Sequence, residues 1–158
     1  MHKNLIKTAN ALAKRTPTRP LNSDSKRAVS TAYYAMFHCL CKFCADNFIG
    51  SVRTGRTERA WVQTYRALNH NFVKNACEKC VRIGTGAAFP QDIIDFADFF
   101  VTMQQERHDA DYNPIRKFTR QEVLLLISGA QVAITKFEGA DNRHKKAFAA
   151  LILFGNRR

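Results

Sequence analysis

Asp24-Ser25-Lys26-Arg27-Ala28-Val29-Ser30-Thr31-Ala32-Tyr33-Tyr34-Ala35-Met36-Phe37-His38-Cys39-Leu40-Cys41-Lys42-Phe43-Cys44-Ala45-Asp46-Asn47 is the stretch that decides the fold class. Val29, Ala32, Met36, Leu40 and Phe43 recur at spacings of three and four, which is the period of an amphipathic α-helix. Ser23 stands just before it as a candidate N-cap, its hydroxyl free to accept a bond from the first turn. The same period continues outward. Thr57 is placed to cap a helix with the stripe Trp61, Tyr65, Leu68, Phe72, Ala76. Pro90 opens a third, carrying Ile93, Phe96, Phe100 and Met103 on one face. Thr119 and Glu122 read as a capping box before Val123, Ile127, Ala130, Ile134 and Phe137, and Gly139 is placed to end that helix.

Four helices of about 20 residues joined by short loops at Ile49–Arg56, Arg82–Phe89 and Tyr112–Phe118 predict antiparallel neighbours. The expectation is an all-α, up-and-down four-helix bundle. Shorter helices over 3–15 and 142–154 flank it, the first ending before the stiff linker Thr16-Pro17-Thr18-Arg19-Pro20. The chain has 158 residues, enough for one domain of 1–158 with its core at about 22–138. Hydrophobic residues make up 46% and charged residues 24%, a globular composition rather than a disordered one. The apolar run Phe148–Phe154 is far short of the ~20 residues of a membrane span. The residues behind Met1, His-Lys-Asn-Leu-Ile-Lys, do not read as a secretory signal. Five cysteines, an odd count, suit reduced thiols, so the expectation is a cytoplasmic protein without a membrane anchor.

Charge gives the first indication of partners. Twenty-five Lys and Arg against thirteen Asp and Glu leave +12. Residues 1–75 hold thirteen bases and three acids, whereas 92–111 hold one base and six acids. A basic half beside an acidic helix suits a polyanion on one surface and self-association or a basic partner on another, and a generally solvated surface explains it as well.

Two Cys-x-x-Cys pairs, Cys41/Cys44 and Cys77/Cys80, have the residue types of a zinc site. Each lies inside a helix, near its C-terminal end, so antiparallel neighbours would hold the pairs apart. Buried thiols and no metal or cofactor are the expectation. Arg107 is more informative, because it continues the apolar stripe of Ile93, Phe96, Phe100 and Met103, and Asp111 follows four residues later. A charge on a buried face needs a partner, so the two should pair. The pair either locks the following loop or holds a guanidinium ready for phosphate. Arg66 and His70, four apart and preceded by Arg59, form a basic line that either follows a phosphate backbone or is simply solvated. His38 falls on neither extreme of its helix and reads as a half-buried, hydrogen-bonded imidazole or as a base.

Arg27-Ala28-Val29-Ser30-Thr31-Ala32-Tyr33-Tyr34-Ala35-Met36-Phe37-His38 resembles the early helix of the HEPN superfamily. Arg107-His108-Asp109-Ala110-Asp111-Tyr112-Asn113-Pro114 resembles the R-x-x-A-D-Y-x-P end of a later helix in an uncharacterised bacterial branch of it. The resemblance covers roughly 22–138 and implies a helical, commonly dimeric protein that binds RNA or a nucleotide. Members are often toxins encoded beside a small nucleotidyltransferase, and some are metal-independent ribonucleases. Those nucleases carry Arg, four to six residues, then His. Here Tyr112, Asn113 and Pro114 occupy the positions where that histidine would fall.

Three functions therefore compete. The first is an RNA- or nucleotide-binding module, within a toxin–antitoxin or stress-response pair, using Arg107, Asp111, Tyr112, Arg66, His70 and Tyr34. The second is a ribonuclease in which His70, His38 or His108 replaces the missing histidine as general acid/base. The third is a helical protein-interaction module. A homodimer is expected because Phe96, Phe99 and Phe100 wrap more than one face of their helix.

Overall fold

The computed structural model describes residues 1–84 and 89–155. Among these residues seven α-helices follow one another: α1 (His2–Lys14), α2 (Asn22–Phe48), α3 (Glu58–Arg66), α4 (His70–Ile83), α5 (Gln91–Tyr112), α6 (Arg120–Gly139) and α7 (Asn142–Phe154). A single 3-10 turn, Arg53–Gly55, lies between α2 and α3. The class is all-α, and no strand occurs among the described residues. The expected loop Arg82–Phe89 lies in part outside them. No single described helix is long and apolar enough to cross a membrane. The run from α6 into α7 is bent by 114°, and both helices turn apolar residues into the core.

Helix α2 is the axis of the molecule and touches α1, α3, α5 and α6. Its stripe is solvent-free: Val29, Ala32, Met36 and Leu40 have no exposed surface, and neither does Tyr33. Opposite it, Ile93, Phe96, Phe100 and Met103 of α5 are fully buried, as their spacing requires. Each such side chain contributes roughly 1.5–3 kcal/mol by leaving water. Phe137 of α6 closes the core with its ring 4.8 Å from Phe96, and Phe148 of α7 lies behind it at 6.2 Å. Three polar contacts order α2 against α5. Lys26 donates to the Asn113 carbonyl at 2.6 Å, Ser30 to Asp111 at 2.5 Å, and Tyr34 accepts from Arg107 at 3.0 Å. Numbers rise along α2 as they fall along α5, so the two helices are antiparallel.

The capping box is formed: Thr119 Oγ1 accepts from Glu122 N–H, and the Glu122 carboxylate accepts from Thr119 N–H. Helix α6 ends at Gly139. At the start of α2, Ser23 lies within the helix and Leu21 takes the cap position, with no side-chain cap bond.

The stretch expected as one helix from Thr57 is two. Helix α3 ends at Arg66, and Asn69 caps α4 by accepting from Asn71 N–H at 2.9 Å. An asparagine that can bond its own following backbone offers the chain an alternative to continuing a helix, and here that alternative wins. The break resets the phase. Val73, Ala76, Cys77 and Cys80 face the core, whereas Phe72, placed on the stripe by its spacing, is exposed. Phe99 is half-buried, with its ring over Gly129 of α6.

Candidate functional site

Residues 27–38 and 107–114 meet face to face across the α2–α5 contact. Their centre is Arg107. Its phase on α5 brings it up against the polar edge of α2, with its side chain 18% exposed. Asp111, one turn on, sits 2.8 Å from Nε, an ion pair in which the N–H is not aligned for a hydrogen bond. Nη2 donates to Tyr34 Oη. Burial opposes the charge, but Tyr34 and Asp111 outweigh it and hold the guanidinium above its ordinary range. Ser30 fixes Asp111 in turn. The rings of Tyr34, Tyr33 and Tyr112 lie 5.5, 5.8 and 5.8 Å from the guanidinium carbon, within cation–π range. Nη1 has no hydrogen-bond partner among the described residues. The fork is therefore oriented on one edge and open on the other.

His70 opens α4 and reaches this cluster only because the helix breaks before it. Its ring stacks on Phe37 at 4.0 Å and meets Tyr34 edge-on at 5.9 Å. Burial drives the Tyr33 phenol well above its ordinary range. The Tyr33 hydroxyl and His70 Nδ1 are hydrogen-bonded at 2.7 Å. Burial first, then the charges of Arg107 and His38, keep the His70 imidazole neutral by lowering its pKa from 6.5. A position at a helix N-terminus acts in the same direction. His38, one turn beyond Tyr34, repeats the arrangement: Nδ1 is 2.7 Å from Tyr65 Oη, and burial lowers its pKa too.

The candidate residues thus divide. Arg107, Asp111, Tyr34, Tyr112 and His70 come together, with His38 beside them. Tyr112 is 65% exposed and stands at the rim. His108 is exposed, and its ring contact is with Tyr112, 5.0 Å away, not with the guanidinium. Arg66 is exposed at the end of α3. The break at 67–69 places it on a different helix from His70. Spacing alone missed Ser30, Tyr33, Phe37 and Tyr65, which hold Asp111 and the two histidines. Ser30 and Tyr34, like Tyr33 and Phe37, are four apart on α2. That signal marked a shared face but not which helix would meet it.

The four sulfurs of the Cys-x-x-Cys pairs are buried, and no three of them gather within 4.8 Å. No protein family, no curated protein and no solved structure matches this chain.

Proposed function

We propose that the chain is an RNA- or nucleotide-binding module of HEPN-like type, an up-and-down helical bundle whose phosphate contact is Arg107. The observation that carries the reading is the guanidinium itself. One carboxylate and one phenol orient it, one nitrogen is unpartnered, and it stands among aromatic rings at the protein surface. Arginine presents a planar fork that matches phosphate oxygens, and charge-assisted bonds of this kind are the strong ones. Tyr112 is exposed enough for a base to stack on it, the usual way single-stranded RNA is gripped. The excess of twelve positive charges adds long-range attraction for a polyanion. A homodimer and a small nucleotidyltransferase partner in a toxin–antitoxin pair belong to the same proposal.

A second reading, metal-independent RNA cleavage, is favoured by one observation. His70 arrives beside Arg107 in space although the sequence after Arg107 lacks the histidine. A neutral imidazole with one nitrogen fixed by Tyr33 is suited to shuttle a proton through the other.

Fluorescence anisotropy with a labelled single-stranded oligoribonucleotide tests both. Binding should weaken with rising salt, and Arg107→Ala should weaken it by ~1.5–3 kcal/mol, the worth of a charge-assisted hydrogen bond. Gel analysis of the same mixtures reads cleavage, which His70→Gln should abolish if it occurs. Wild-type protein without salt-dependent binding removes the reading.

A further inference from the structure

Far along the chain from Arg107, the start of α1, the middle of α2 and the end of α6 surround a cavity of about 520 Å3. His2, Cys39 and Glu138 line it, and one donor atom from each lies within 4.8 Å of the other two. His2 and Cys39 are buried. His2 Nε2 is 2.9 Å from Glu138 Oε1, while Nδ1 is buried with no partner. We propose that His2, Cys39 and Glu138 bind one divalent zinc ion, with the cavity supplying its fourth ligand.

The donor chemistry carries the choice of ion. Imidazole nitrogen, thiolate sulfur and carboxylate oxygen are the three ligand types of zinc, and three protein ligands leave a tetrahedral ion one open position. Zinc–ligand lengths put neighbouring donors about 3.3–3.8 Å apart around the ion. The donor atoms of the three residues all lie within 4.8 Å of one another, close to that spacing. A thiolate and a carboxylate balance the charge of the ion. Of the lysines that line the cavity, Lys42 pairs with Asp46 and Lys145 donates to the Glu138 carbonyl at 2.9 Å, while Lys3 pairs with Glu138 Oε2 at 3.7 Å, a contact that the ion replaces on binding. Burial, reinforced by Glu138, pushes the Cys39 thiol up to about 12, against the pull of Lys145, Lys42 and Lys3. Binding must therefore release the thiol proton to solvent, and affinity rises with pH. Sequence spacing gives no warning of the site, because its members come from three separate helices.

The test uses the full chain produced without a tag, reduced and stripped by a chelator, then titrated with cobalt(II) as the coloured substitute for zinc. The expected result is one ion per chain, with a near-ultraviolet thiolate-to-cobalt charge-transfer band that zinc bleaches. Zinc should raise the melting temperature by mass action. Cys39→Ala should abolish the band and weaken affinity by more than the ~10–100-fold that loss of a ligand's hydrogen-bond partner costs. Cys41→Ala should leave both unchanged. Should Cys39→Ala not fold, Glu138→Gln at the exposed end of α6 provides the same affinity test without disturbing the core. Absence of the band, a band that survives Cys39→Ala, or Glu138→Gln affinity equal to wild type overturns the proposal.

Discussion

Gly129→Ala measures how closely α5, the helix that carries Arg107, approaches α6. In an open helix interior this change is stabilising, because alanine is favoured over glycine by ~0.8–1 kcal/mol. Here the new methyl would stand 2.8 and 2.9 Å from Phe99 Cε2 and Cε1 and closer still to Cζ. No ordinary contact is that short, so ring or helix must shift. Forcing an extra methyl into such packing costs ~1–3 kcal/mol. The steric cost exceeds the propensity gain, and the net expectation is destabilisation of up to about 2 kcal/mol, from the same two ranges. For a domain of this size that is a fall in melting temperature of up to ~8 °C. Thermal and urea unfolding followed by far-ultraviolet circular dichroism read it. Phe99→Leu in the Gly129→Ala background should recover most of the loss, since leucine lacks the distal ring atoms, and the pair should be non-additive. A Gly129→Ala protein more stable than wild type would refute the contact and the helix separation inferred from it.

Acid should weaken the fold through His38 and His70. Both have pKa values lowered from 6.5, so below that pH the unfolded chain takes up protons that the folded chain resists. Stability is thus indifferent to these groups above the ordinary histidine range and falls as pH drops through it. Melting temperature measured against pH should show that fall, and the His38→Gln, His70→Gln double variant should show a shallower one; an identical slope discards the assignment. Asn69→Ala removes the cap of α4 and should cost about 1 kcal/mol in urea unfolding, as N-cap losses do. No loss would mean that another interaction sets the break.

Much of the fold was legible because helices announce themselves locally. Thr119 and Glu122 specify the start of α6 within four residues, and the i, i+4 spacing of Arg107 and Asp111 specifies their pair. The break before His70 was hidden, because Leu68 and Phe72 extend the apolar period straight through it. One asparagine side chain overrides that period, and periodicity does not register a single competing hydrogen bond. The environment of Arg107 was half legible. Its phase told that it was sheltered, whereas Tyr34 and Ser30 became its neighbours only through the antiparallel approach of α2, a tertiary fact. His2, Cys39 and Glu138 lie at the far limit of this distinction: three unrelated positions that share nothing until the helices assemble.

Arg107 is proposed to meet phosphate through its planar fork rather than serving only to tie α5 to α2. Arg107→Lys separates the two, since lysine keeps the charge and loses the paired donors. The decisive measurement is the affinity of wild type and Arg107→Lys for the same single-stranded oligoribonucleotide, at two salt concentrations, expressed per folded molecule from the melting curves. If Arg107 meets phosphate through its fork, Arg107→Lys should bind more weakly at both salts, with a salt dependence like that of wild type. Equal affinity per folded molecule, with the whole effect appearing in stability, would contradict it.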